Sequence, residues 1–179
     1  FSEIYKECVI PSPCWMVHRE ELVACGAFIP DTYPEDYDLC FRFYQHRLKP
    51  IPYEGVLHHW RDHDARTSRT DERYADNRFL KLKVNWFLQL DRQRERPLVL
   101  WGAGTKGKEL AQLLTKKSVP FIWVTNNENK IGKVIHGHEL HPTTELQTLM
   151  RPQVIIAVAN PDEQRAIKNY LKEESFFFC

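Results

Sequence analysis

The stretch Leu98-Val-Leu-Trp101, Gly102-Ala-Gly-Thr-Lys-Gly107, Lys108-Glu-Leu-Ala-Gln-Leu-Leu114 decides the fold. A short apolar run, a G-x-G-x-x-G and apolar residues at helical spacing read as strand, tight turn and helix, the context in which that glycine pattern carries meaning. Gly102 permits the turn, Gly104 lets the backbone approach a phosphate, and Gly107 allows helix and strand to pack closely. Thr105 and Lys106 complete the loop, and the first N–H groups of the helix would face an anion. Two readings stay open. In one, Gly102, Gly104, Thr105, Lys106 and Gly107 bind a nucleotide or phosphate; in the other, the glycines serve packing alone.

Outward from this unit, Phe121-Ile-Trp-Val-Thr125 reads as a second strand. Val154-Ile-Ile-Ala-Val-Ala159 reads as a third, ending at Asn160-Pro161 before an amphipathic helix over Glu163 to Lys172. The alternation predicts a small parallel α/β sheet with right-handed crossovers. A dinucleotide site holds the ribose hydroxyls with an acid at the end of the second strand. Here Asn126-Asn127 stand there, with Glu128 one residue beyond, which departs from that pattern. The following segment, Asn127-Glu-Asn-Lys-Ile-Gly-Lys-Val-Ile-His-Gly-His-Glu-Leu140, resembles the post-strand loop of small Rossmann-like modules attached to sugar-modifying enzymes. Gly132, Ile135 and Gly137 hold the matching places, and the resemblance implies a further helix after them.

Composition divides the chain. Eleven of the thirteen arginines precede Pro97, while the charges after it are mostly lysine and glutamate. The boundary is therefore placed at Pro97, giving modules 1–96 and 97–179 within 179 residues. With 42% hydrophobic and 12% aromatic residues the chain has enough apolar side chains for a core, which excludes wholesale disorder. Its formal charge is +1, from 15 basic against 16 acidic residues before Pro97 and 10 against 8 from it onward, so no generalised nucleic-acid surface is expected. No apolar run approaches the roughly 18–20 residues of a membrane span, and no signal peptide is recognisable. Five cysteines without a CxxC predict reduced, buried thiols rather than a disulfide framework or a zinc knuckle, and place the chain in the cytoplasm. Position 1 is Phe rather than Met and opens an ordered-looking run, Phe1-Ser-Glu-Ile-Tyr5, so the sequence is expected to be a piece of a longer protein.

Module 1–96 carries the sharper chemistry. Pro34-Glu-Asp-Tyr-Asp-Leu39 opens an amphipathic helix running through His46, preceded by Pro13-Cys-Trp-Met-Val-His-Arg-Glu-Glu-Leu-Val-Ala-Cys-Gly-Ala-Phe28. The latter predicts a strand and a short helix with Gly26 at its C′ position. Ile51-Pro-Tyr-Glu-Gly-Val-Leu-His-His-Trp-Arg61 and Asp62-His-Asp-Ala-Arg-Thr-Ser68 follow. Acidic residues in a first helical turn are also what the macrodipole alone favours. Taken in order, W-M-x-x-R-E-E-L, G-A-F, E-D-Y-D-L-x-x-R and L-x-x-W-R-x-H-x-x-x-x-S resemble the C-terminal half of a family 2 glycosyltransferase domain of GT-A type. The resemblance covers about residues 9–88. The fold it implies is α/β, a C-terminal fragment of a GT-A domain followed by the small parallel-sheet Rossmann-like domain.

The resemblance implies an inverting transfer of a sugar from a nucleotide-diphospho-sugar to the hydroxyl of a glycan or lipid-linked acceptor in surface polysaccharide synthesis. Such work is placed in the cytoplasm, free or peripheral at the inner face of a membrane. By the family's Glu-Asp pair, Asp36 is the general base and Glu35 binds the acceptor or holds the loop. Asp38, with Arg42 four residues on, reads instead as a structural helix pair. His59, Arg61, His63, Arg66 and Ser68 are the residues for the diphosphate, whose charge develops as it leaves. A divalent Mg or Mn is implied for the whole enzyme, with His59 or His63 the candidate ligands here. Two other readings of the histidines remain: a zinc pair at i and i+4, against which Trp60-Arg61 following a strand and the missing HExxH both argue, and plain strand-end histidines. The helix predicted over Tyr74 to Leu90 places Phe79, Leu82, Val84, Trp86, Phe87 and Leu90 in the core.

A GT-A enzyme binds its donor through an N-terminal half with a D-x-D metal motif. The D-x-D strings here are Asp36-Tyr-Asp38 and Asp62-His-Asp64, and neither follows a nucleotide-binding βα unit. The residues are thus expected to lack transferase activity alone and, missing neighbouring strands, to expose apolar surface and either self-associate or adopt a fold adapted to the truncation. The alternative function is a non-catalytic nucleotide-binding or interaction module centred on the 102–107 loop.

Overall fold

A computed structural model describes residues 1–30, 32–72, 79–171 and 175–179, without the side chains of Thr67 and Ser68. The chain forms two compact units, Phe1–Phe79 and Leu80–Cys179. The division falls ahead of Pro97, where the change in composition had placed it. The reason is helix α4 (Leu80–Leu90), whose Leu80, Lys83, Val84 and Phe87 are buried at helical spacing. Phe87 meets Phe176 at 4.9 Å and Phe178 at 6.1 Å, and the Lys83 ammonium reaches the Phe178 carbonyl at 3.4 Å, so α4 belongs to the second unit.

The first unit is helical, with no strand among its described residues. Helix α1 (Arg19–Ala24) ends in a Schellman cap: Gly26 N donates to Val23 O at 2.9 Å and Ala27 N to Leu22 O at 2.8 Å. Gly26 takes φ +81°, which a Cβ would disfavour. Helix α2 (Glu35–Gln45) buries Tyr37 to Phe43, and Leu39 and Phe43 pack with Cys25, Trp15, Val17 and Leu22. The strand expected around Trp15 is extended chain without a ladder partner, and the one expected before Trp60 is irregular. A single turn, α3 (Thr67–Thr70), follows. Of the helix predicted from Tyr74, residues 74–78 lie outside the described residues. Ile51, Val56 and Leu57 are at least three-quarters exposed.

The second unit is α/β. Its strands are β1 (Leu98–Trp101), β2 (Ile122–Thr125), β3 (Val134–Ile135), β4 (His138–Pro142), β5 (Gln153–Ile156) and β6 (Ser175–Phe177). They form one sheet in the order β3-β4-β2-β1-β5-β6, all parallel except the β3-β4 hairpin. Helices α5 (Thr105–Lys116) and α6 (Pro161–Tyr170) make the crossovers. This is the Rossmann-like architecture the sequence predicts, with more strands than the three expected. The G-x-x-I-x-G segment forms β3 and the turn into β4, and a 3-10 turn, Thr143–Thr148, follows where a further helix was expected. The core explains the order: β1 and β5 are buried on both faces, as central parallel strands must be. Val99, Trp101, Val124, Val154 and Ile156 pack with Ile167 of α6, and α5 buries Leu110, Ala111 and Leu114 completely. Each such leucine contributes about 2 kcal/mol of hydrophobic stabilisation. No helix among the described residues is long and apolar enough to cross a membrane.

Candidate functional site

In the first unit the chemistry gathers at the head of α2. Pro34 is its N-cap with extended backbone, so the chain turns into the helix with Glu35 exposed and Asp36 half-buried. Asp36 Oδ1 accepts the Tyr37 N–H at 2.8 Å. Burial pushes the Asp36 carboxyl above its ordinary range and the neighbouring Glu35 adds to this, while N–H groups of Tyr37 and Ser12 pull the other way. A carboxylate held in this manner is a better proton acceptor than an exposed one.

Asp38 points elsewhere. It is buried and paired with Arg42 Nε at 2.9 Å, the helix pair its spacing predicts. Arg42 Nη1 also donates to the carbonyls of Cys25 at 2.6 Å and Ala27 at 2.5 Å. One guanidinium therefore ties α2 to the end of α1, which is a structural task.

His59, Arg61 and His63 are exposed on the irregular segment after Leu48. Arg66 donates to Asp62 at 2.9 Å and lies 4.3 Å over the Trp60 ring. Arg69 reaches Asp62 at 2.6 Å and Asp64 at 3.2 Å. The hydrogen bond from Arg66 is the chief cause that keeps the Asp62 carboxyl below its usual range. No hydrogen bond or ion pair among the described residues joins Glu35 or Asp36 to His59, Arg61, His63 or Arg66. The Ser68 side chain lies outside the described residues, as does Arg73.

Metal fit follows from the same contacts. Asp62 and Asp64 are engaged by arginines, and among the described residues no three His, Cys, Asp or Glu side chains converge as a ligand set. Among the described residues, His59 and His63 thus have no third ligand beside them.

In the second unit the Gly-rich loop lies where β1 ends, beside the loop that follows β5. The strand order reverses between these two strands, with β2 and β4 on one side and β6 on the other. Such a switch point leaves a crevice outside the carboxyl ends of the strands. Gly102 has φ +115°, and a Cβ there would press on the Ala157 carbonyl at 3.1 Å. At Gly107 a Cβ would collide with the Gly102 carbonyl oxygen. Around a Cβ at Gly104 there is nothing within 4 Å. Gly102 and Gly107 are thus tight, as a turn and close helix–strand packing require, while Gly104 faces open space. Gly104 is also the N-cap of α5 without a side-chain cap, and Thr105 is exposed beside it while Lys106 is half-buried.

Two residues that the sequence reading did not single out brace the loop. Trp123 Nε1 donates to Gly102 O at 2.9 Å and Lys130 Nζ to Ala103 O at 2.8 Å. Asn127 spends its side chain on the turn, accepting from Asn129 N at 3.0 Å. A lysine three residues after an Asn turn was the available signal for Lys130, since a long side chain there can reach back over the strand ends. No protein-family model, curated protein or solved structure matches this chain.

Proposed function

We propose that these residues are the acceptor-side part of an inverting glycosyltransferase that takes a sugar from a nucleotide-diphospho-sugar, with Asp36 as general base. The observation that carries the reading is the half-buried Asp36 carboxyl at the exposed head of α2, raised by burial and by Glu35. In the reaction Asp36 takes the proton of the acceptor hydroxyl as its oxygen bonds to the anomeric carbon. The bond from that carbon to the diphosphate breaks on the opposite face, and the nucleoside diphosphate leaves. Glu35, exposed next to the base, orients a glycan or lipid-linked acceptor. Arg61 and Arg66 supply cations to the leaving diphosphate, Arg66 by exchanging its exposed, solvent-screened contact with Asp62. The donor-binding half, with Mg or Mn where the family uses it, belongs to the rest of the enzyme. The work is assigned to the cytoplasm, at or near the inner face of a membrane.

A second reading rests on the open Gly104 at the switch point of the sheet. Under it the 102–107 loop holds a nucleotide or phosphate and the first unit is a scaffold. The two readings separate in a longer protein that joins residues 1–179 to a donor-binding half. Asp36→Asn cripples sugar transfer under the first, whereas Gly104→Val does the greater harm under the second.

A further inference from the structure

Cys8 and Cys40, 32 residues apart in sequence, bring their sulfurs to 3.8 Å. Each sulfur is also 3.6 Å from the Ile10 carbonyl oxygen. The fold imposes this meeting, because the segment carrying Cys8 is held along α2 by several aromatic contacts. The Tyr37 hydroxyl donates to the Ile4 carbonyl, Tyr5 packs on Phe41 at 5.4 Å, and Phe1 on Tyr44 at 5.5 Å. Cys8 is half-exposed whereas Cys40 is 1% exposed, so an external reagent meets Cys8 first.

We propose that Cys8 and Cys40 are a redox-active dithiol, which a small-molecule disulfide closes into a bond stapling the first segment of the chain to α2. Entry is at Cys8: its thiolate attacks one sulfur of the reagent, forming a mixed disulfide and releasing one thiolate. The Cys40 thiolate then attacks the Cys8 sulfur, the protein disulfide forms, and the second reagent thiolate leaves. Two protein thiols lose two electrons and two protons, and one reagent disulfide becomes two thiols. The order follows from exposure and contact: Cys8 is the sulfur an external reagent reaches, and Cys40, buried against it, is placed to resolve the mixed disulfide. A disulfide needs about 2.05 Å between sulfurs, so closure takes under about 2 Å of movement. Cys8 lies outside any helix or strand, where a rotamer change of that size meets least resistance.

The test does not depend on the role given to Asp36. The chain carrying Cys14→Ser, which removes the exposed competing thiol, is equilibrated with oxidised and reduced glutathione, acid-quenched, alkylated and peptide-mapped. The expected result is a Cys8–Cys40 linked peptide and loss of two alkylatable thiols, both restored by excess reduced glutathione. In Cys8→Ser protein Cys40 stays unmodified, because the point of entry is gone. Full alkylation of both thiols at every ratio overturns the proposal. So does glutathione remaining on Cys8 without a linked peptide, or a link from Cys8 to any other cysteine.

Discussion

Gly107 lies against Gly102 so closely that a single methyl on Gly107 would overlap the Gly102 carbonyl oxygen. That oxygen also accepts the Trp123 indole N–H, so it cannot move aside without losing a buried bond. Gly107→Ala is therefore expected to destabilise the second unit by about 3 kcal/mol, the upper end for an overpacked site. Gly104→Ala meets no atom and should cost under about 1 kcal/mol, the scale of an altered N-cap. Native-state hydrogen exchange at the β1 amides measures both, and equal costs would contradict the packing described.

Arg42 is the corresponding bolt of the first unit. Arg42→Met leaves the buried Asp38 without its guanidinium and deprives the Cys25 and Ala27 carbonyls of their donor. The expected loss is about 3–5 kcal/mol, as for a broken buried pair. Arg42→Lys should recover little of it, since one ammonium does not span a carboxylate and two carbonyls in the geometry of a fork. Exchange protection of α1 and α2 amides reports the change; a near-neutral Arg42→Lys would contradict the forked arrangement.

Asp36 gives a pH dependence of definite sign. Burial, the largest cause, raises its folded-state pKa above that of the unfolded chain. Between those two values the folded state binds more protons, so the stability linked to Asp36 is present in acid and lost as pH rises through the folded pKa. Asp36→Asn removes the buried charge. The variant should unfold at a higher urea concentration than the parent near pH 7, and the difference should vanish near about pH 3, below the usual carboxylate range. A difference of the same size at both values would remove burial as the cause.

Much of this arrangement was readable beforehand, and the reasons differ by element. The strand–glycine–helix unit at 98–114 is local: each glycine's steric duty follows from its place in the turn, so period and spacing suffice. Asp38 with Arg42 is local too, one helical turn apart. The β3-β4 hairpin was missed because His138-Glu-Leu-His-Pro142 has Leu140 as its one fully buried side chain and no apolar alternation. Strand β6 was missed because a three-residue run beyond the last helix gains its meaning only from pairing with β5. The packing of helix α4 was not legible because composition tracks arginine content, whereas its Phe87 finds Phe176 and Phe178, far off in sequence. The meeting of Cys8 with Cys40 and the reach of Lys130 to Ala103 are tertiary facts, invisible to spacing.

The central claim is that Asp36 removes the acceptor proton, and turnover measures it most directly. In a protein joining these residues to a donor-binding half, transfer from a nucleotide-sugar is followed against pH for the parent and for Asp36→Asn. The account predicts that kcat falls by about 10²–10⁴ in the variant, the usual contribution of a general base, with KM for the donor unchanged. It also predicts that the acid limb of the parent's profile, lying above the ordinary carboxylate range, disappears. A variant that keeps kcat within a few-fold, or keeps that acid limb, would contradict the assignment of Asp36 as the base.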